Sequence, residues 1–220
     1  MKRLIIAIDG PSGAGKGTVA RALSQSLGYR HIDTGAMYRA IGWQARVDGV
    51  PLDDEAAVAD LARRVRIVVE GGVVSIDGRD VTRAIRTPEM DAAATAVARL
   101  PRVREVLVER QRKEGEAGGV VMEGRDIGTV VFPDADVKIY LDASPDERAR
   151  RRANDPAHTG GQTGQAAVAE AIQARDRSDT TRAASPLTIA SDAVQIDTTR
   201  MPVDQVVARV MEVVTMKMSR

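Results

Sequence analysis

The 220-residue sequence contains no cysteine and very few aromatic residues: one Trp, three Tyr and one Phe. Without cysteine, the chain can form neither a structural disulfide nor a thiolate metal site. The shortage of aromatic rings means that Ala, Val, Leu and Ile must build the core, and it leaves few platforms on which nucleic-acid bases could stack. The formal net charge is only +1, so no strong overall positive field attracts nucleic acid. We therefore expect no nucleic-acid partner.

Long apolar runs are also absent, since no segment approaches the roughly 20 residues of a membrane span. The apolar run Leu4–Ile8 follows Met1-Lys2-Arg3 directly, which leaves no room for a signal peptide. We expect a cytoplasmic protein with no membrane partner. The chain is 43% hydrophobic and 29% charged, which predicts one globular domain, or one core with an insertion.

The most informative motif is Gly10-Pro11-Ser12-Gly13-Ala14-Gly15-Lys16-Gly17-Thr18, between a predicted strand at 3–8 and a predicted helix at 16–27. The backbone N–H groups of such a loop can surround a phosphate chain, and the helix N-terminus adds partial positive charge behind them. Lys16 supplies a mobile full charge for the outer phosphates. Residues 10–18 are therefore the candidate ATP-binding residues. The alternative is a glycine-rich turn that binds nothing.

Gly17 stands where many phosphate loops have Ser or Thr, so the usual hydroxyl ligand of magnesium is missing or displaced to Thr18. Regulatory GTPases rarely have glycine at the position after the loop lysine, whereas small nucleoside monophosphate kinases do. We expect Mg²⁺ as the cofactor that accompanies ATP, held mainly by ATP and water, and no protein metal ligand is assigned. Asp9, at the end of the first strand, either binds metal or water or braces the loop. Neither His31 nor His158 lies in a zinc-ligand pattern.

The rest of the chain alternates strands and helices around an inserted hairpin. Further core strands are predicted at 29–32, 120–123, 137–141 and 193–196, and further helices at 34–47, 53–63, from 87, and at 102–115, 165–182 and 202–216. Gly71-Gly72 joins segments 66–70 and 73–77 as a hairpin, with a third short strand at 79–82. Because an antiparallel hairpin does not belong inside a parallel sheet, we expect an insertion at 48–86.

The predicted fold class is α/β, with a parallel β-sheet P-loop NTPase core, helices on both faces, a small antiparallel β insertion and a helical lid. The core is assigned to residues 1–47 and 87–220, with the lid at about 148–165. Thr34 is predicted to cap the helix at 34–47, and Asp53 to open the next one. Segment 154–164 is rich in Gly, Asn and Thr, so we expect a mobile loop there.

Basic residues flank this predicted loop on both sides. Arg175, Asp179 and Arg182 fall on one stripe of the helix at 165–182. Such a stripe is either a solvated ladder of ion pairs or part of a segment that closes over phosphorylated substrates and excludes water. A second basic face, which is either functional or solvated surface, comprises Arg148, Arg151 and Arg152.

The segment Glu123-Gly124-Arg125-Asp126-Ile127-Gly128 ends a predicted core strand. In open α/β sheets, ligands bind beyond the carboxyl ends of the strands. Arg125 and Asp126 should therefore lie on the active edge of the sheet, unless they form only a structural turn with a local ion pair. Thr34 and Arg39 follow another core strand and should reach the same edge.

With these motifs in place, the sequence resembles the bacterial cytidylate kinases (CMP kinases) over nearly its whole length. The segments that carry the resemblance are Ile8–Thr18, Asp33–Arg39, Ile85–Thr87, Pro101–Glu105, Gly124–Pro133, Lys138–Ser144 and Arg175–Leu187. The Gly-Arg-Asp-x-Gly-Thr-Val-Val-Phe-Pro segment is far more specific than a phosphate loop alone. The resemblance implies transfer of a phosphoryl group from ATP to CMP or dCMP, by a protein that we expect to be a monomer.

The resemblance also implies roles for particular residues. Thr34 and Arg39 match positions around the phosphate of CMP, and Thr95 and Arg104 match the pair that recognises the cytosine edge. The implied CMP-binding residues are Thr34, Arg39, Thr95, Arg104, Arg125, Asp126, Arg175, Asp179 and Arg182, and the implied catalytic residues are Lys16, Arg125, Arg148 and Arg152. The family commonly has Ser in place of Thr34 and Thr95, and the retained hydroxyl predicts retained function.

Two other functions stay open at this stage. A kinase for another nucleoside monophosphate, or for a small-molecule alcohol, would use the same phosphate loop. A non-enzymatic nucleotide switch or nucleic-acid-binding module is disfavoured by the near-neutral charge, the few aromatic residues and the absence of Ser or Thr after Lys16.

Overall fold

The computed structural model describes residues 3–155 and 164–219. In chain order, the strands are β1 (Ile5–Asp9), β2 (Arg30–Asp33), β3 (Ile67–Glu70), β4 (Val73–Ile76), β5 (Arg79–Asp80), β6 (Val120–Gly124), β7 (Val137–Asp142) and β8 (Val194–Asp197). The helices are α1 (Lys16–Leu27), α2 (Thr34–Val47), α3 (Glu55–Arg64), α4 (Pro88–Val97), α5 (Pro101–Gly115), α6 (Pro145–Ala153), α7 (Gln165–Thr181) and α8 (Val203–Met218).

Five parallel strands form the central sheet in the order β2-β6-β1-β7-β8. Ile6 and Ile8 pack on one face with apolar residues of α1 and α8. Ala7 packs on the opposite face with Met122 and with Val108 of α5. Helices therefore cover both faces, as β-branched strands buried on two sides require, and the predicted α/β fold class is confirmed.

The three remaining strands form the separate antiparallel sheet that the sequence predicted, in the order β3-β4-β5. Gly71 and Gly72 connect its first two strands with positive φ angles of 59° and 85°, a conformation that glycine adopts without steric cost. The third strand contains only Arg79–Asp80, shorter than predicted. The inner face of the sheet packs on α2 and α3 in one apolar cluster with α5.

Several helix ends differ from the sequence prediction because neighbouring polar residues compete for the cap. Asp33, not Thr34, caps α2, since its carboxylate accepts a hydrogen bond from the Ala36 N–H at 3.0 Å. Asp54 plays the same part for α3, one residue later than the predicted Asp53. Helix α7 ends at Thr181, and Arg182 already has extended backbone angles.

Two further features bear on the site. Residues Ile127–Val131, directly after β6 and the Arg125-Asp126 pair, form one turn of π-helix that the sequence did not predict. Most of the predicted loop at 154–164 lies outside the described residues. Within residues 3–155 and 164–219, the helices are all too short or too polar to cross a membrane.

Candidate active site

The candidate active site lies at the carboxyl edge of the parallel sheet. Asp9 at the end of β1 is in register with Gly124 of β6, and Asp33 of β2 is in register with Glu123. The segments that follow these strands therefore meet at one edge. They line a cavity of about 680 Å³ that also receives residues of α4, α5, α6 and α7.

The glycine-rich loop between β1 and α1 forms one wall of this cavity. Gly10, Gly13 and Gly15 have φ angles of 146°, 80° and 91°. A Cβ on Gly10 would lie 2.0 Å from the Leu141 carbonyl oxygen, and one on Gly13 would lie 2.7 Å from the Arg148 carbonyl oxygen. Both positions thus need glycine for close backbone packing as well as for conformation. The N-terminus of α1 faces the cavity, as phosphate binding requires.

Lys16 is buried at the head of α1, and its Nζ donates a hydrogen bond to the Pro11 carbonyl oxygen at 2.6 Å. Burial, together with the nearby positive charge of Arg125, lowers the pKa of Lys16 to about 7. An anionic ligand would reverse this shift because it favours the charged ammonium form. Lys16 is therefore positioned to interact with phosphate.

Asp9 braces the turn that follows β6, while the alternative that it binds metal or water stays a prediction. Its carboxylate accepts hydrogen bonds from the backbone N–H groups of Ile127 and Gly128 at 2.8 and 2.7 Å. Burial raises the pKa of Asp9 to about 6, although these two hydrogen bonds act in the opposite direction. The contact fixes the start of the π-turn against the phosphate-loop strand.

A first arginine cluster lies at the end of β6. Arg125 binds Asp179 at 2.8 Å, and Arg182 lies 3.5 Å from the same carboxylate. Arg104 binds Asp126, with Arg182 3.8 Å from its other oxygen. Although burial raises the pKa of Asp179, Arg125 and its neighbours hold it below the ordinary range. Three buried arginines thus share two carboxylates.

A second arginine cluster surrounds Asp91, a residue of α4 that the sequence prediction missed. Its carboxylate binds Arg152 and lies 3.2 Å from Arg175 and 3.9 Å from Arg39. Burial and the proximity of Arg125 lower the pKa of Arg175 to about 10. The sequence did indicate that Asp91 lies in the first turn of a helix, because it follows Thr87-Pro88. No neighbouring residue indicated that arginines distant in the chain would contact it.

The two clusters hold more hydrogen-bond donors than acceptors. Buried nitrogen atoms without a hydrogen-bond acceptor include the Nε atoms of Arg39, Arg104 and Arg175 and one terminal nitrogen of Arg182. Leaving such donors unpaired costs about 1–3 kcal/mol each. All four side chains line the cavity. An anion with several oxygen atoms would therefore supply hydrogen-bond acceptors for these nitrogen atoms.

Two hydroxyl groups complete the predicted site. Thr34 donates a hydrogen bond to the Glu123 carbonyl oxygen at 2.7 Å, and Thr95 donates to the Asp91 carbonyl oxygen at 2.9 Å. Both line the cavity, and the bond to Asp91 ties Thr95 to the residue at the centre of the second cluster. Each hydroxyl keeps its acceptor capacity for a ligand.

Arg148, for which a part in catalysis stays a prediction, is not among the residues that line the cavity. Its Nε donates to the Ala143 carbonyl oxygen at 3.0 Å, and one terminal nitrogen donates to the Ser12 carbonyl oxygen at 3.1 Å and binds Asp176. These bonds hold the guanidinium behind the phosphate loop. In this arrangement Arg148 braces the loop, while Arg152 of the same helix is among the residues that line the cavity.

Residues that sequence reasoning assigned no role also line the cavity. His31 Nε2 lies 2.9 Å from a carboxylate oxygen of Glu123, next to Gly17 of the loop. Arg150 of α6 also lines the cavity, as does Arg151, a member of the predicted second basic face that lies beside Gly15 of the phosphate loop. The strand-end position of Glu123 was a usable signal, whereas the position of His31 depends on pairing between β2 and β6 and could not be found locally.

Comparisons with known proteins agree with this geometry. A family model described as cytidylate kinase matches residues 6–216. Proteins named cytidylate kinase from Pelotomaculum thermopropionicum and Desulfitobacterium hafniense are 54% and 48% identical to the chain. The first match covers 92% of both chains, and the second covers 96% of this chain and 92% of the relative.

Solved structures show the fold at greater distance. A gluconokinase from Sinorhizobium meliloti aligns with a TM-score of 0.51 at 14% identity, over 96% of this chain and 91% of the other. A shikimate kinase from Acinetobacter baumannii aligns with a TM-score of 0.50 at 14% identity, over 97% of this chain and 93% of the other. With the family model matching nearly its full length and its relatives about half identical, the chain belongs to the cytidylate kinase family, which are nucleoside monophosphate kinases.

Proposed function

We propose that the protein transfers the γ-phosphoryl group of ATP to CMP and to dCMP, forming ADP and CDP or dCDP. The observation that carries the proposal is a single cavity in which a glycine-rich phosphate loop faces two arginine clusters with unpaired buried donors. Such a cavity suits two anionic substrates that must approach one another. The names of the relatives identify the acceptor as CMP.

The donor nucleotide binds residues 10–18. The backbone N–H groups of the loop and the N-terminus of α1 surround its phosphates. Lys16 moves from the Pro11 carbonyl to the β- and γ-phosphate oxygens and becomes fully protonated there. Positive charge in this position stabilises the charge that develops during transfer.

The acceptor phosphate binds Arg39, Arg125 and Arg175, and it supplies acceptors for the unpaired Nε donors of Arg39 and Arg175. Thr34 contacts the same phosphate group, and Asp179 binds the ribose hydroxyls. Arg182 and Asp126 fix the orientation of these groups through their mutual ion pairs. Planar guanidinium groups suit this task because each can donate two parallel hydrogen bonds to phosphate.

The cytosine base is recognised by Thr95 and Arg104. Both line the cavity, and the buried Arg104 lies over the Tyr38 ring at 5.4 Å while binding Asp126. A rigid donor held in this way discriminates strongly, because a wrong base leaves buried polar groups unpaired.

The chemical step needs no catalytic base. An ionised phosphate oxygen of CMP attacks the γ-phosphorus in line, and the bond from that phosphorus to the bridging oxygen of ADP breaks as the new bond forms. The residues align the two anions and neutralise the transferred group. Arg125 and Arg152, which both line the cavity, supply further positive charge to the transferred group.

Magnesium is the expected cofactor, and the donor groups present fit an ion held mainly by ATP. The described residues contain no group of three or more His, Asp or Glu side chains able to hold a metal, and Gly17 offers no hydroxyl. Thr18 and Glu123 line the cavity and are the side chains that would contact the ion or its waters. Bound magnesium would supply positive charge that neutralises the phosphates of ATP.

We further propose that segment 48–86 is the acceptor-binding insertion on a core of residues 1–47 and 87–220, and that residues 148–165 act as the lid. Residues of the insertion, among them Val69, Gly72, Val74 and Arg86, line the cavity opposite the phosphate loop. Closing both segments would exclude water from the reacting phosphates. We propose that the protein acts as a monomer in the cytoplasm.

A coupled assay with a panel of acceptors tests the proposal. ATP consumption should require an added acceptor and should be fastest with CMP and dCMP, followed by UMP and AMP, with none on shikimate. A clear preference for AMP or UMP would show that the acceptor is another nucleoside monophosphate. Turnover of shikimate would show that the acceptor is an alcohol. Consumption of ATP that depends on RNA in place of CMP would contradict the proposal outright.

A further inference from the structure

A second cavity, of about 920 Å³, lies on the outer side of β2. It adjoins the first cavity, with which it shares Arg21, His31, Val69 and Gly72, but no residue of the phosphate loop lines it. One wall comes from α1 and β2 of the core, and the other from α3 and from the β3-β4 hairpin, with α5 at the base. Six arginines and one lysine line it, against two glutamates. Because the whole chain carries a net charge of only +1, this excess of positive charge is a local feature.

Several of these cations are poorly neutralised. Among the described residues, Arg21 and Arg66 form no ion pair, and they lie on the core wall and the insertion wall respectively. Arg110 at the base donates only to the Arg63 carbonyl oxygen at 3.0 Å, and burial lowers its pKa. A partly buried guanidinium without a carboxylate partner is stabilised by an incoming anion.

The ion pairs that do exist are exposed and easily exchanged. Arg63 binds Asp60, Arg64 binds Asp48 and Lys113 binds Glu109, and none of these three carboxylates lines the cavity. A fourth exposed pair, between Arg30 and Glu114 at 2.8 Å, lies within the lining itself. Exposed pairs of this kind contribute about 0–1 kcal/mol each. They therefore do not prevent the side chains from turning toward a ligand with more charge.

We infer that this second cavity is a binding site for a phosphate chain, bridging Arg21 and Arg30 of the core wall, Arg63 and Arg66 of the opposite wall and Arg110 at the base. A chain of phosphates suits it because the cations are distributed over both walls and the base of a cavity of about 920 Å³. Aromatic recognition contributes nothing, since the one ring in the lining, Tyr29, is already covered by Arg3 at 5.7 Å. The ligand is therefore held by its charge.

Calorimetric titration with tripolyphosphate tests the inference. The first cavity is blocked with saturating ADP and CMP, which together cannot react. One equivalent of tripolyphosphate should still bind to the wild-type protein, with an affinity that falls as salt rises. The double variant Arg66→Gln/Arg110→Gln should bind at least about tenfold more weakly. The control Arg99→Gln removes an exposed arginine that lines neither cavity and should bind like the wild type.

Three outcomes would overturn the inference: no binding beyond the blocked site, equal weakening by Arg99→Gln, or an RNA oligonucleotide that displaces tripolyphosphate at equal phosphate concentration. Circular dichroism on each variant separates lost binding from lost folding. CTP then distinguishes two sources of the same chemistry. Equal dissociation constants for CTP and tripolyphosphate would support a free phosphate chain as the ligand, and tighter binding of CTP would support the phosphate chain of a nucleotide.

Discussion

Several cationic side chains in the active site are buried without enough hydrogen-bond acceptors, and an anionic ligand would supply the missing ones. Lys16 is buried with a backbone carbonyl as its hydrogen-bond partner, and Arg39, Arg104, Arg175 and Arg182 keep buried nitrogen atoms without acceptors. Each of these costs free energy in the ligand-free protein. The same groups supply affinity and charge stabilisation when two nucleotides bind.

Lys16→Met should reduce kcat by about a hundredfold to a thousandfold, because it removes a preorganised charge at the transferring phosphate. The protein should stay folded, since the variant removes a buried cation that lies close to other cations. Steady-state kinetics with CMP and ATP measure the loss. The exposed Lys113→Met on α5 is the matched control and should keep the parent rate. A fully active Lys16→Met would exclude the proposed role.

Nucleotide binding at about pH 8 should be accompanied by proton uptake. With its pKa lowered to about 7, Lys16 is mostly neutral there in the ligand-free protein. Bound phosphates raise its pKa again, so the complex must take a proton from the buffer. Calorimetry with a non-hydrolysable ATP analogue, in buffers of different ionisation enthalpy, measures this proton. If the Lys16→Met variant took up as many protons as the wild type, the proton would bind to a group other than Lys16.

Arg104→Ala should lower the ratio of kcat/KM for CMP over AMP by at least about tenfold, because the base loses a rigid buried donor. It should also reduce the free energy of unfolding, since Asp126 is left buried with only Arg182 near it. The control Arg102→Ala removes an exposed arginine from the same helix. An unchanged CMP to AMP ratio would refute the role of Arg104 in base choice.

At the scale of elements, the acceptor half of the site depends on close packing between α2 and α4. A Cβ on Gly42 of α2 would lie 2.8 Å from the Ala93 Cβ of α4. Arg39 lies one turn before Gly42, and Asp91 and Thr95 flank Ala93. The spacing of the two helices therefore sets the distance between the groups that would bind CMP.

Gly42→Ala should force the two helices apart. We expect a loss of about 1–3 kcal/mol in the free energy of unfolding, together with a higher KM for CMP and little change in KM for ATP. Thermal denaturation and initial rates measure the two effects. The double variant Gly42→Ala/Ala93→Gly restores the space, so it should recover the KM for CMP. A KM that stays high in the double variant would show that spacing is not the cause.

For the whole molecule, the charge balance is nearly even, but the sheet edge concentrates positive charge. Phosphate binding should therefore stabilise the entire fold, because it neutralises cations contributed by α2, α5, α6 and α7 at once. Such a ligand contacts helices that are distant along the chain, and it binds only when they are folded together, so it stabilises the folded state.

CMP at about one hundred times its dissociation constant should raise Tm by about 5–10 °C, which corresponds to about 2.7 kcal/mol for a chain of this length. Cytidine at the same concentration should have little effect, because it lacks the phosphate that the arginines bind. Differential scanning calorimetry compares the two ligands. Equal stabilisation by cytidine would mean that the arginine clusters are not the main source of affinity.

The sequence alone was sufficient for the features whose cause is local. The spacing of Gly10, Gly15 and Lys16 identified the phosphate loop, because its conformation depends on adjacent residues. Gly71-Gly72 between two β-branched runs identified the antiparallel hairpin for the same reason. Arg125 and Asp126 were found because residues after a buried strand lie at the carboxyl edge of a parallel sheet.

Only the tertiary structure decided which charges meet. Asp91 attracts arginines from three other helices, Arg148 turns behind the loop to bind Ser12, and His31 pairs with Glu123 across neighbouring strands. The sequence determined the fold class and the location of the phosphate loop, whereas the pairing within the arginine clusters was decided by folding. The physical reason is that backbone conformation depends on neighbours in the chain, but an ion pair depends on distances that exist only once the helices have packed on the sheet.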